Sequence, residues 1–490
     1  MPLRFKTSVT KLLFFLQTAE PPLQIPSDRT KSNDIGKNNV FLYVHSKIAM
    51  PPTRRQIWSM TYPILISLMM ENMIGLTDTA FLGRVGEVEL GASAIAGVYY
   101  MAIFMIGFGF SIGTQILIGR RNGEQNYLEI GPILQQGVLF LILLATVMCI
   151  ASHAFTPTIL RKMISSTPVY EAAVAYTNWR VYGFFFSFIA IMFRAFYVGI
   201  THTKILTANS LVMLSVNIVL NYALIFGKWG FPALGIAGAA IASTVSKLAS
   251  ALFFLIYTLT KIDHRKYALF RFPRLRPGVL KQILDVSIWT MFQAFISVSV
   301  WFLFFAAIEH LGERELAISN IIRNTSGFIF MIVSAFASTT NALVSNQMGA
   351  GKSNLVIPTS IKTIKLCYAI ITPAALLFAA APHILLRIYT DNVSLVESSI
   401  PSLWVMLSSY LLTVPAVILF NTVSGTGNTK HALLLEITTL ALYVVYTFIV
   451  VFRFKADVAV CWTTEHIYAL VLLILVTIYL KKANWRQKSI

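Results

Sequence analysis

Twelve long apolar runs leave this chain almost no choice of architecture. They fall at about 57–82, 90–118, 132–153, 172–198, 205–227, 235–260, 281–308, 316–345, 358–386, 399–424, 431–453 and 458–480. Each is near or above the roughly 20 residues that a helix needs to cross a bilayer's hydrocarbon core. Backbone polar groups find no water there and must be satisfied within the segment, which a helix does. Composition agrees, with 56% of the 490 residues hydrophobic and 12% charged, against about 25% charged in a soluble domain. The expected fold class is an all-α membrane protein of twelve transmembrane helices.

The formal net charge is +19, yet the basic residues form neither a helix face nor an aromatic-interleaved patch, so no nucleic acid partner is expected. They sit in short connectors: Arg54/Arg55, Arg120/Arg121, Lys204, the run from Lys261 to Lys281, Lys352, Lys430 and Lys481/Lys482. With twelve spans these all fall on one side, which the positive-inside rule assigns to the cytoplasm together with both termini. The three cysteines, Cys149, Cys367 and Cys461, lie in apolar segments without metal spacing and read as packing residues. Residues 1–50 are polar and mixed, and read as a disordered extension or one upstream of a true start at Met50.

The two halves repeat. A single shift of 226 residues lays GEVELGAS (86–93) on GERELAIS (312–319), and Gly199, Thr203 and Lys204 on Gly425, Thr429 and Lys430. It also lays Gly123 on Gly349 and Arg55-Gln56-Ile57 on Lys281-Gln282-Ile283. Six spans per half give both halves the same orientation, a transporter signature with the substrate path between lobes. The expected organisation is a first lobe over 51–262, a basic cytoplasmic linker over 263–280 and a second lobe over 281–490.

Ionisable groups inside a span are expensive and so mark function. Glu71 and Asp78 lie two turns apart on one face of the first span. Asn217 and Asn221 share a face of the fifth span, and Thr244 reaches a similar depth on the sixth. One carboxylate with neutral oxygens at one level suits a proton or a small hard cation such as Na+; helix-to-helix hydrogen bonding is the plainer role for the Asn and Thr residues. Glu71 is a second titrating group or a partner for a buried cation, with Arg323 of the eighth span as that cation and Glu436 of the eleventh as a further buried charge. Arg180 and Arg194 read as snorkelling residues at the ends of the fourth span, and Glu465 as a span-end residue.

Tyr99, Met101, Phe104 and Met105 of the second span, with Met291, Phe292 and Gln293 of the seventh, form a candidate adaptable substrate cavity. No HExxH, nucleophile elbow, phosphate loop or clustered His/Asp site is present, so no catalytic residue and no cofactor are assigned. Gly123, Gly199, Gly349 and Gly425 read as turn glycines after helices.

At this point the chain resembles the multidrug and toxic compound extrusion (MATE) family of bacterial type. The resemblance is carried over residues 51–490 by Pro63, by Asp78-Thr79 with Gly83 and Gly86, and by the connectors NGEQN and GAGKSN. Gly199…Thr203-Lys204, Gly425…Lys430, Asn217-Ile-Val-Leu-Asn221 and the glycine-rich run from Gly227 to Thr244 complete it. It implies two pseudo-symmetric six-helix lobes in a V. It further implies alternating access and export of cationic or amphiphilic organic compounds against inward H+ or Na+, with cation coupling at Asp78, Asn217, Asn221 and Thr244. Asn221 stands where many members have an Asp, and the seventh span offers Gln293 rather than an internal acid. The expectation is a monomeric multi-pass antiporter of the bacterial inner membrane. The alternatives are a flippase of lipid-linked saccharides, which needs deep cations for a pyrophosphate, and a membrane-embedded transferase.

Overall fold

The structure is a computed structural model; it describes residues 51–270 and 275–487, so the reading of residues 1–50 as an extension lies outside it. Helix α1 (Arg54–Leu82) starts on a capping box, Thr53 Oγ1 accepting from Gln56 N–H while Gln56 Oε1 accepts from Thr53 N–H, which satisfies two otherwise orphaned donors. Helix α2 (Glu87–Gly123) follows, then α3 (Ile130–Met163), α4 (Thr167–Arg180), α5 (Gly183–Gly199), α6 (Lys204–Phe226) and α7 (Gly235–Lys261). The second half contains α8 (Pro277–Glu309), α9 (Glu313–Gly349), α10 (Val356–Ala380), the short α11 (Pro382–Leu386) and α12 (Val393–Gly425). It closes with α13 (Thr429–Phe448), a π-helical turn over Ile449–Arg453, the short α14 (Val458–Cys461) and α15 (Thr464–Lys482).

Among the described residues, eleven helical segments are long and apolar enough to cross a membrane, and twelve when α4 and α5, bent by 49°, count as one. The fourth expected span is thus broken between Arg180 and Gly183. The ninth expected span, 358–386, ends as a helix at Ala380, and the twelfth, 458–480, is interrupted after Cys461. A proline opens α11 at Pro382, where it can start a helix but cannot continue the one before it.

The 226-residue repeat is three-dimensional. Thr203 Oγ1, just before α6, donates to the Met60 carbonyl at 3.1 Å; its counterpart Thr429 Oγ1, at the start of α13, donates to the Val286 carbonyl at 2.9 Å. Gln115 of α2 donates through Nε2 to Asn341 Oδ1 of α9 at 3.1 Å. These two residues are 226 apart, and equivalent residues touch only on a two-fold axis. Each half has its own apolar core, and each lends a turn to the other: Ile57 packs in the second-half core while its counterpart Ile283 packs in the first. The halves are therefore locked through α1, α2, α8 and α9.

Gly123 and Gly349 have a role other than the expected turn. A methyl group built on Gly123 collides with the Asn346 carbonyl, and one on Gly349 with the Arg120 carbonyl. The ends of α2 and α9 cross backbone to backbone at the axis, and small residues are what permit such an approach in apolar helices.

Candidate functional site

Asp78 lies one turn from the end of α1 and is 9% exposed. Its carboxylate accepts three hydrogen bonds from neutral donors. Asn221 Nδ2 reaches Oδ1 at 2.6 Å, Asn217 Nδ2 reaches the same oxygen at 3.1 Å, and Ser243 Oγ reaches Oδ2 at 2.6 Å. Asn217 and Asn221 are one turn apart on α6 and cross-linked, Asn221 Nδ2 donating to Asn217 Oδ1 at 3.1 Å. Asn221 Oδ1 is buried and has no hydrogen-bond partner, which leaves an unused acceptor beside the carboxylate.

Thr244 does not join this group. Its hydroxyl donates to the Trp179 carbonyl at 3.3 Å, at the end of α4 where the broken span loses its own donors. Ser243 and Thr244 are adjacent, which on a helix is about 100° of rotation; Ser243 is the residue that sequence reasoning missed.

Glu71 is not paired with Arg323. Its Oε1 lies 3.6 Å from Arg194 Nη1, with side-chain exposures of 36% and 14%, and accepts from Ser67 Oγ at 3.3 Å. Ser67 in turn is bonded to Ser210 of α6 at 2.7 Å. Arg194 is therefore a half-buried ion-pair partner rather than a snorkelling residue. Arg180 also departs from that reading: its guanidinium lies 4.5 Å over the Tyr100 ring, and its Nη1 is buried without a hydrogen bond. Lys247, in the middle of α7, lies one turn from Thr244, whose bond to the Trp179 carbonyl holds this part of α7 against the end of α4 at Arg180. Sequence reasoning passed over Lys247 although the rule that marks Asp78 marks it equally.

Tyr99 bonds Ser152 at 2.9 Å and Thr156 at 2.8 Å on α3, while Met291 packs against α2 at Gly109. Met101 and Phe292 are exposed and Met105 and Gln293 half-buried. Phe104 does join a ring cluster, 6.4 Å from both Tyr100 and Phe188, and Tyr100 stacks on Phe184 at 4.5 Å with the rings 2° from parallel.

The second half lacks the Asp78 arrangement. The 226-residue counterparts of Asp78, Asn217 and Asn221 are Phe304, Tyr443 and Thr447, and Phe304 packs on Tyr443 at 6.3 Å. Arg323 lies 5.1 Å over Phe305. Glu436 is 2% exposed; Oε1 accepts from Ser297 Oγ and from the Tyr468 hydroxyl, each at 2.9 Å, and Oε2 has no partner. Ser297 and Glu436 are the counterparts of Glu71 and Ser210, so the same place in the two halves carries one carboxylate on exchanged helices. Among the described residues no group of three or more His, Cys, Asp or Glu side chains could hold a metal ion.

The profile of the MatE family matches residues 63–223 and 290–449, one segment in each half. A protein named probable multidrug resistance protein NorM from Mannheimia succiniciproducens is 26% identical over 292 residues, which is 59% of this chain and 63% of that protein, under two thirds of its length. A protein of the same name from Synechocystis sp. is 24% identical over 349 residues, 71% of this chain and 76% of its own. Among solved structures, an outward-facing multidrug resistance MATE family transporter of the MOP superfamily superposes with a TM-score of 0.81 at 17% identity, over 88% of this chain and 96% of that one. The crystal structure of the eukaryotic MATE transporter AtDTX14 gives 0.79 at 16% identity with the same coverages. At these identities the structural likeness establishes the fold.

Proposed function

This chain belongs to the MatE family, and on that premise we propose that it is a secondary antiporter exporting amphiphilic or cationic organic compounds against inward H+ or Na+. The observation that carries the reading is a carboxylate inside a membrane helix, held by three neutral donors and, among the described residues, bonded to no cation. Protonating Asp78 turns an acceptor into a donor. Ser243 can reverse by rotating its hydroxyl, and Asn221 by turning its amide so that Oδ1 faces the new O–H. Asn217 remains tied to Ser243 at 3.3 Å. The contacts joining α1, α6 and α7 thus differ between the two protonation states, which biases the equilibrium between inward- and outward-open forms. Exchange of cargo for a small cation is then linkage between ligands that prefer different states.

A proton suits the site better than Na+. Asn221 supplies no second charge, and both Asn217 and Asn221 present Nδ2 rather than an oxygen to Asp78. Of the two cargo classes, the cations in the first lobe favour amphiphilic compounds. The same cations supply what the flippase alternative needs, so that reading stays as the rival; it requires movement of lipid without an imposed ion gradient. The reading extends to a monomer in a bacterial inner membrane with the basic connectors and both termini cytoplasmic, and with no cofactor beyond the transported ion. The test is efflux of a fluorescent organic dye from vesicles under imposed ΔpH or ΔNa+. Acceleration by either gradient is expected; dye movement indifferent to both rejects the antiporter.

A further inference from the structure

We propose that the first lobe holds its cargo by an anionic group, a carboxylate, sulfonate or phosphate, seated on Lys247 and Arg180 beside the stacked rings of Tyr100 and Phe184. This rests on the exporter reading and names the class of its substrate.

Five ionisable side chains lie inside the lobe: Glu71, Asp78, Arg180, Arg194 and Lys247; the 3.3 Å bond from Thr244 to the Trp179 carbonyl brings α7, one turn before Lys247, against the end of α4 at Arg180. Glu71 is taken by Arg194, 3.6 Å away. Asp78 is taken by Asn217, Asn221 and Ser243 rather than by any cation. Two cations remain. Lys247 has no hydrogen bond and no ion pair among the described residues. The buried Nη1 of Arg180 donates to nothing.

Their place makes this costly. Lys247 lies twelve residues into the 27-residue α7, about 18 Å from its start at ~1.5 Å per residue, too deep for its four-carbon stem to reach a headgroup. Arg180 sits at the break between α4 and α5, where the bend of 49° opens the helix. An unpaired cation at membrane depth marks a substrate or ion pathway. A neutralising role toward Asp78 would place the ammonium on the carboxylate, and three neutral donors stand there instead.

The surroundings fit an anion on an aromatic body. Tyr100 is stacked on Phe184 at 4.5 Å and lies under the Arg180 guanidinium at 4.5 Å. The counterpart of Lys247 in the second half is Leu473, so this seat is peculiar to the first lobe. A proton on Asp78 makes the field more positive, so exclusion between proton and anion must come from the conformational change and not from local charge competition.

Carboxyfluorescein and rhodamine 6G share a xanthene core and carry opposite charge, so fluorescence anisotropy with the purified full-length protein reads the sign directly. Carboxyfluorescein is expected to bind at least about tenfold more tightly than rhodamine 6G, the scale of one charge-assisted hydrogen bond. Lys247→Gln is expected to lose about tenfold, Lys247→Arg to restore it and Lys247→Glu to invert the preference. Tighter binding of rhodamine 6G, no binding of carboxyfluorescein, or an unchanged affinity in a folded Lys247→Gln overturns the assignment; the wild-type comparison stands even where a variant fails to fold. Phosphatidylcholine nanodiscs with and without phosphatidylglycerol separate the sources. Competition by the anionic lipid names a headgroup, its absence names a free solute, and either upholds an anion seat. Carboxyfluorescein that binds as expected, yet is moved by neither ΔpH nor ΔNa+ in proteoliposomes, refutes the exporter reading and leaves the seat.

Discussion

Asp78→Asn separates the charge of the site from its shape. The Asn amide is isosteric with the carboxylate. Its single oxygen can accept from Asn217 and Asn221, and its NH2 group can face Ser243 Oγ, now 2.6 Å from Oδ2, with that hydroxyl turned to accept. Three bonds to an ionised acceptor become bonds between neutral groups. At about 1.5–3 kcal/mol for the charged kind and about 0.5–1.5 for the neutral kind, roughly 3 kcal/mol is lost. Burying no carboxylate returns several kcal/mol of desolvation. The two nearly cancel, and stability should change by no more than about 1–2 kcal/mol. Coupling has no such offset, because the amide cannot take up a proton. Heating the purified variant and following its size-exclusion peak measures the first quantity; ΔpH-driven dye efflux from proteoliposomes measures the second. The expected result is a folded protein with downhill dye exchange intact and gradient-driven efflux lost. Gradient-driven efflux at wild-type level in this variant would remove Asp78 from the mechanism.

Gly349→Ala should force apart α9 and α2, costing about 1–3 kcal/mol of thermal stability as an overpacked contact. Adding Gly123→Ala should cost less than it does alone, since one separation relieves both clashes; additive losses would show that the two glycines do not share a crossing. Ser243→Ala should shift the apparent ion affinity in efflux by roughly tenfold, one hydrogen bond to a charged group. Thr244→Val should instead lower stability by about 0.5–1.5 kcal/mol at the α4–α5 break and leave ion dependence unchanged; the reverse pattern would return Thr244 to the site. Glu71→Gln should destabilise by roughly 1 kcal/mol or less, because the ion pair with Arg194 is partly exposed, as read in the same melting assay.

The site was half legible. Asp78, Asn217 and Asn221 could be grouped because a carboxylate and two amides on fixed helical faces are visible in one dimension. The third partner could not. Ser243 and Thr244 carry the same hydroxyl one position apart, and only the rotation of α7 against α1 decides between them. Arg194 was misread for a similar reason: a cation near a span end can snorkel or turn inward, and the direction depends on whether a carboxylate such as Glu71 lies across the gap. Lys247 was readable and overlooked.

What the sequence determined by itself was the membrane class, the near-twenty-residue spans, the parallel repeat and the presence of an acid inside the first span. All follow from hydropathy and spacing along the chain, and the bilayer's dryness makes those local quantities sufficient. The tertiary structure decided which partner each buried charge bonds. Glu71 meets Arg194 and Asp78 meets three neutral donors, so among the described residues Lys247 and Arg180 have no bonded carboxylate. It also decided that Gly123 and Gly349 serve a helix crossing and not a turn. Charge pairing and close approach depend on how helices are rotated and how near they lie, quantities that no single helix's sequence contains.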